Sequence, residues 1–249
     1  MLMHPTLEKL EDLRLRGMLK ALQDQAQTPE IESLSFEERL GLMIDREMTE
    51  RENRRLKTRL RKAKLRQEAA IEDINYRHPR ELDKAMVLKL ASCQWIADHR
   101  NLLITGPTGI GKSYLACAFA HKACREGYSA LYVRLPRLGR ELSLAKADGS
   151  YGKLLVQLAK TDLVVIDDWG LAPLSDEHRR DLLEILDDRY DRGSTLVASQ
   201  LPVKKWHTYL NDPTVADAIL DRLIHNAYRI KLDGETMRKR PLTKSGKKA

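Results

Sequence analysis

The 249-residue chain contains no apolar run of membrane length: its strongly apolar stretches, such as 102–104 and 163–166, are short, against the ~18 residues that span a bilayer. No membrane partner is expected. The first 30 residues carry charges throughout and no apolar block, so no signal peptide is expected. Only 13 Gly and 9 Pro are present, which excludes collagen-like and low-complexity classes. The three cysteines, Cys93, Cys117 and Cys124, form no Cys-x-x-Cys pair, and no Cys/His cluster occurs. They read as buried thiols in a reducing cytoplasm rather than disulfides or metal ligands. No Asn-Lys-x-Asp guanine motif occurs, which disfavours a GTPase. Three Trp and a few Tyr supply no obvious stacking platform for single-stranded nucleic acid.

Basic charge is abundant and concentrated. Residues 51–66 hold nine Lys/Arg and one Glu, a net +8, and residues 229–249 hold eight Lys/Arg and two acids, a net +6. The whole chain carries only +8, so the remainder is acidic at −6. Two basic segments on an acidic body point to polyanion contacts rather than a general solubility charge.

The length allows one to two domains. Apolar spacing from Thr6 predicts a helix reaching about Thr28-Pro29. Ser35-Phe36-Glu37-Glu38 is a capping-box pattern opening a second helix that is expected to run to about residue 69. Its second half bears Arg51, Arg54, Arg55, Lys57, Arg59, Arg61, Lys62, Lys64 and Arg66 around a narrow apolar seam. With nearly every charge of one sign, i,i+4 pairing cannot neutralise it; nucleic acid is the favoured partner, with an acidic protein surface or a solvated face as alternatives. Residues 1–69 are therefore expected to form an N-terminal all-helical DNA-binding and assembly domain, and 70–249 a second domain with a basic tail. In the second domain strands near 101–105, 129–133, 162–167, 195–199 and 228–232 alternate with helices near 112–126, 136–146, 151–160, 175–192, 203–210 and 214–226. That alternation predicts a parallel sheet covered on both faces.

Gly106-Pro107-Thr108-Gly109-Ile110-Gly111-Lys112-Ser113 matches G-x-x-x-x-G-K-[ST] between a predicted strand and helix. Glycines let several N–H groups face one anion, and the helix N-terminus adds partial positive charge. Lys112 is expected on the β- and γ-phosphates of ATP and Ser113 on Mg²⁺, with Tyr114 next along the helix. Residues 163–168 end four apolar positions on Asp167 and Asp168, a Walker B pattern: Asp167 for Mg²⁺, Asp168 to orient or deprotonate water, or else a turn carboxylate. Glu is common at the second position, so hydrolysis is expected to be slow. Residues 198–202 offer Gln200, and second Ser199, as a polar group near the γ-phosphate or the water; a turn before Pro202 is the alternative. Arg222 either reaches a neighbouring subunit's nucleotide or pairs with Asp221 or Asp217.

GPTGIGKS, LVVIDDWGL, TLVASQLP and AILDRLIHNAYRIKLDGETMRKR, in this order, resemble the IstB-like ATPases. These are transposition helpers of insertion sequences and kin of DnaC-type helicase loaders. The resemblance extends from about residue 5 to 240. It implies an α/β AAA+ P-loop NTPase with sheet order 5-1-4-3-2 and no separate lid domain. It also implies Arg222 as the arginine finger, and Arg238 resembles the family's G-x-[ST]-x-R ending. Such helpers assemble as ATP-bound homo-oligomers on duplex DNA without sequence specificity, and recruit or activate a cognate transposase. Arg134, Arg137, Arg140 and Lys146, between the second and third strands, are secondary DNA candidates. A helicase loader built on the same core is the alternative; a small-molecule kinase fits less well, because the second acid suits water activation. No nuclease or transposase site is visible.

Overall fold

The computed structural model describes residues 5–237. Arg238 and most of the basic tail lie outside the described residues. The chain divides into two compact units, Met1–Arg59 and Leu60–Ala249. The sequence reading puts the boundary at 69/70; residues 60–69 go with the second unit, where Ala63 and Ala69 are buried. Among the described residues no helix is long and apolar enough to cross a membrane.

In the first unit, α1 (Pro5–Asp12) and α2 (Arg16–Ala26) replace the single helix expected to residue 28. Arg14 adopts a left-handed φ of 58°, which ends a helix. A 3-10 turn, Pro29–Ser33, leads to α3 (Phe36–Ala63). The capping box forms reciprocally: Ser35 N–H donates to Glu38 Oε2 at 2.8 Å and Glu38 N–H to Ser35 Oγ at 3.2 Å.

Glu47 of α3 fastens α2. Its Oε2 accepts the N–H groups of Gly17 (2.6 Å) and Met18 (3.3 Å), and its Oε1 accepts Arg51 Nε at 2.7 Å. These N–H groups are among those a helix N-terminus leaves without intrahelical partners. A Cβ on Gly17 would stand 2.5 Å from Glu47 Cα, so only glycine permits this approach. Burial acts to raise the Glu47 pKa, but hydrogen bonds from Arg51, Gly17 and Met18 outweigh it and the net shift is downward.

Helix α3 ends at Ala63, short of the expected residue 69, because Lys64 turns left-handed at φ 50°. The second unit continues with α4 (Lys84–Ala91) and α5 (Gln94–Ala97), which the sequence reading leaves unassigned. Asp83 caps α4 by accepting Ala85 N–H at 2.8 Å. There follow β1 (Asn101–Thr105), α6 (Lys112–Arg125), β2 (Ala130–Arg134), α7 (Leu135–Ala147), α8 (Tyr151–Ala159), β3 (Leu163–Trp169) and α9 (Asp176–Arg189). Then come β4 (Ser194–Ser199), a 3-10 turn at Val203–Lys205, α10 (Trp206–Leu210), α11 (Pro213–Ile224) and β5 (Ala227–Lys231). Helix α9 stops three residues before Arg192, and the segment 203–210 is a 3-10 turn plus a short helix rather than one helix.

All strand pairings are parallel, in the order β2-β3-β4-β1-β5, which read from the other edge is the expected 5-1-4-3-2. Helix α6 covers one face; its run Leu115–Ala120 is entirely buried, with alanine and Cys117 allowing close approach. The other face packs Leu138, Leu142, Leu182, Ile185, Ile219 and Leu223 of α7, α9 and α11 against Val164, Ile166 and Val197. The three cysteines are buried as expected and form no disulfide, and burial pushes the Cys93 thiol to about 11. Thr105 lies level with Ser199 and Lys231. The carboxyl ends of β1, β3 and β4 thus share one edge, where open α/β sheets hold ligands.

Candidate active site

At that edge a cleft of about 690 Å³ is lined by Thr108, Gly109, Gly111, Lys112, Ser113 and Tyr114 of the glycine loop and α6. Asp167, Asp168, Ala198 and Gln200 face it from β3 and β4, and Arg66, Gln67, Asp73, Asn75, Arg80, Arg134, Leu171 and Met237 complete the wall. The loop's sequence dictates its path. Gly106 sits at φ 153°, and a Cβ there would stand 2.5 Å from the Leu232 carbonyl oxygen. Gly111 sits at φ 97°, with the Arg80 guanidinium occupying the space a Cβ would need. Gly106, Pro107 and Ile110 shape the loop without lining the cleft; Ile110 is fully buried. Lys112 Nζ donates to the Pro107 carbonyl at 2.7 Å, folded over its own loop.

The buried Asp167 carboxylate is engaged on both oxygens. Oδ1 accepts Asp168 N–H at 2.8 Å, and Oδ2 accepts the Tyr132 hydroxyl with Arg66 Nη1 at 3.8 Å. Tyr132 reaches it from β2, the strand alongside; burial and the hydrogen bond to Asp167 push its pKa up. Asp168 has φ 59° in a strand that continues to Trp169, and register with β4 slips between Ile166 and Trp169. The irregularity turns the Asp168 carboxylate to Arg134 Nε, with which it is paired. A left-handed Asp is tolerated more readily than most residues. Trp169 then anchors the corner in an aromatic cluster, 5.0 Å from Trp206 and 6.1 Å from Tyr209 between ring centroids.

Gln200 Oε1 accepts the Thr108 hydroxyl at 2.7 Å, tying the end of β4 to the phosphate loop. Ser199 is occupied elsewhere: its Oγ donates to the Trp169 carbonyl at 2.9 Å and accepts Leu201 N–H at 3.0 Å, so it forms the turn. Arg80, 2% exposed, braces the loop from behind, donating to the carbonyls of Ile110 (2.9 Å) and Asn75 (3.2 Å).

Arg222 does not enter this cleft. It pairs with Asp187 of α9 through Nε and Nη2, both at 2.7 Å, rather than with Asp221 or Asp217. Of the other basic candidates, Arg54, Arg55, Lys57, Arg61, Lys62, Lys64 and Arg140 are exposed. Arg51 is tied to Glu47 and Arg137 to Glu141 at 2.9 Å; Lys146 binds Glu177 and Asp181. Arg66 lies in the cleft rather than on the helix. Sequence reasoning does not anticipate Tyr132 and Arg80, or the places of Arg66 and Arg134. The run 130–134 does signal an edge beside Walker B, but nothing local signals Arg80.

The family model described as IstB-like ATP binding protein matches residues 8–245. The chain is 53% identical over 245 residues to an insertion sequence ATP-binding protein of Sinorhizobium fredii, covering 98% of this chain and all of that one. It is 51% identical to one from Pseudomonas fluorescens, covering 81% of this chain and 88% of the relative. Among solved structures, DnaI matches with TM-score 0.57 at 24% identity over 68% of this chain and 92% of that one. The DnaC helicase loader matches at 0.54 and 18%, over 66% and 96%. These two likenesses speak to the fold, a P-loop AAA+ core, and the sequence matches speak to descent: the chain belongs to the IstB-like ATP-binding family of insertion sequences.

Proposed function

We propose that this chain is a magnesium-dependent ATPase that assembles on duplex DNA through its ATP sites and recruits or activates a transposase. The observation that carries the reading is the convergence of Lys112, Ser113, Asp167, Asp168 and Gln200 on one cleft while Arg222 stays outside it. The cleft's own arginines are engaged, Arg66 and Arg134 by the two acids and Arg80 by the loop carbonyls, so a finger from a neighbour would complete it and couple nucleotide to assembly.

The residues fit a magnesium–triphosphate group. The glycine loop leaves no room for a Cβ at Gly106 or Gly111, as an N–H cradle for phosphate requires. Ser113 and Asp167 supply the hard oxygen donors that Mg²⁺ prefers. Bound there, Mg²⁺ would neutralise charge on the phosphates. Lys112 would exchange the Pro107 carbonyl for phosphate oxygen, Gln200 would turn from Thr108 to the γ-phosphate or the water, and Asp168 would orient water once released by Arg134. Asp in place of a longer Glu supports slow turnover.

The exposed cations between 54 and 64 support duplex backbone binding. All three tryptophans are buried, Trp95 at 3% exposure, which removes them as base-stacking groups. About six phosphate contacts would cost roughly 10³-fold in affinity between 50 and 200 mM salt. The test is duplex DNA binding with ATP, ADP or no nucleotide, with sedimentation of the same samples. Large salt-sensitive complexes only with ATP, lost in Lys112→Ala and on charge reversal of 54–64, are expected. Absence of duplex binding under every nucleotide would overturn the reading and favour a loader that grips a helicase.

A further inference from the structure

We infer that Arg66 is a positioning residue that couples magnesium–nucleotide binding to DNA, by competing with Mg²⁺ for Asp167. The DNA half of this inference rests on the function proposed above.

The argument begins at the carboxylate. Asp167 is 2% exposed, and its Oδ2 faces the Tyr132 hydroxyl and the Arg66 guanidinium. A divalent ion binding that oxygen would have to share it with a guanidinium already 3.8 Å away from it. Two cations on one carboxylate repel appreciably wherever solvent is partly excluded, so Mg²⁺ and Arg66 cannot both sit against Asp167 at full strength. Tyr132 is neutral and does not oppose the metal in this way. Hydrogen bonding to Tyr132, opposed in part by burial and aided by Asp167 and Asp168, keeps the Arg66 guanidinium firmly protonated. The competition is therefore one of position, not of titration.

The Arg66 side chain is also accessible. It is 44% exposed, against 3% for its partner. It lies on a bend three residues beyond the end of α3. Arg61, Lys62 and Lys64, within five residues of it, are exposed. A phosphate backbone engaging these cations would offer Arg66 an alternative anion and draw it from Asp167. By linkage, Arg66 displaced from Asp167 by bound Mg²⁺ would add a cation to the basic segment, so each ligand would favour the other by the same factor. The sequence alone places Arg66 at the tail of a basic helix; the fold turns it into the metal site.

The test uses the full-length chain and a fluorescent, non-hydrolysable ATP analogue, titrating Mg²⁺ at fixed analogue. Without DNA, Arg66→Gln should need about fivefold less Mg²⁺ than wild type for half-maximal binding, from removal of one partly screened charge. Arg66→Lys should restore most of the wild-type requirement. An unchanged or raised requirement in Arg66→Gln overturns the competition. With duplex DNA, the wild-type requirement should fall towards that of Arg66→Gln, which keeps only the coupling through assembly and should respond markedly less. Equal responses from both proteins overturn the coupling. Failure of wild type to bind duplex DNA would overturn the functional reading and the coupling with it, while the DNA-free arm still decides the competition at Asp167. Thermal melts of each variant check that the shifts come from folded protein.

Discussion

If Arg222 completes a neighbour's ATP site, its removal should abolish DNA-stimulated hydrolysis while leaving nucleotide binding and folding intact. The geometry sets both magnitudes. The backbone at Arg222 is fixed, its carbonyl accepting Asn101 Nδ2 of β1 at 2.8 Å. The side chain is held mainly by Asp187, in a pair whose members are 27% and 61% exposed. Such pairs contribute ~0.2–1 kcal/mol, so Arg222→Ala should stay folded and the wild-type arginine can leave Asp187 at small cost. The catalytic loss should be far larger, roughly 10³–10⁵ in kcat for an arginine finger. The decisive assay mixes Arg222→Ala with Lys112→Ala. Each variant alone is inactive, one lacking the finger and the other a working phosphate loop. In a mixed head-to-tail assembly a site from the first meets a finger from the second at about a quarter of random interfaces, so about a quarter of wild-type ATPase should return. No recovery on mixing, with both variants folded and Arg222→Ala binding ATP, would refute action in trans. A fall in kcat below tenfold for Arg222→Ala would refute the finger altogether.

Three further outcomes follow from particular contacts. Gly106→Ala should weaken nucleotide binding by at least about tenfold, because a left-handed alanine is strained and its Cβ would meet the Leu232 carbonyl; equilibrium titration with a fluorescent nucleotide checks it. Gln200→Ala should lower kcat by about 10- to 100-fold with little change in nucleotide affinity, since Gln200 touches the loop through Thr108 alone; a matched loss of affinity would show that it serves only to hold the loop. Glu47→Gln should destabilise the helical unit by about 1–3 kcal/mol at neutral pH. Because the folded carboxyl titrates below its ordinary 4.5, its contribution is complete above that pH and fades as pH falls through the folded value. Helix melts should therefore converge for wild type and Glu47→Gln as the pH is lowered below the ordinary 4.5 and through the folded value, and parallel curves would count against the buried fastening.

How much of this was legible in the sequence depended on how local each cause is. The phosphate loop was legible because eight consecutive residues carry both its chemistry and its backbone demands. The five strands were legible because buried parallel strands read as apolar runs, and the capping box at Ser35 because both partners lie within one turn. Errors arose where one residue broke a pattern. Arg14 and Lys64 each end a helix by turning left-handed, and neither type announces that conformation as glycine would. The α4–α5 pair is not legible although Asp83 is an ordinary cap, because an eight-residue and a four-residue helix give little periodicity to read.

The site divides in the same way, and the division bears on how it works. Lys112, Ser113, Asp167 and Asp168 sit in two short motifs, whereas Arg66, Arg80 and the β2 pair Tyr132 and Arg134 come from three other places in the chain. The second group engages the acids of the first: Asp167 faces Arg66 and Tyr132, and Asp168 is paired with Arg134. A chain whose acids are both engaged by its own cations has little reason to hydrolyse ATP alone. Both engaged cations lie next to basic segments: Arg66 follows 51–64, and Arg134 precedes Arg137 and Arg140. A polyanion that attracts those segments acts on the two Walker B acids together, so single loss of Arg66 or Arg134 should relieve only part of the restraint. The double variant Arg66→Gln/Arg134→Gln is therefore expected to show the highest DNA-independent nucleotide hydrolysis of the set. A double variant no faster than either single would mean the two pairs do not act on the same step.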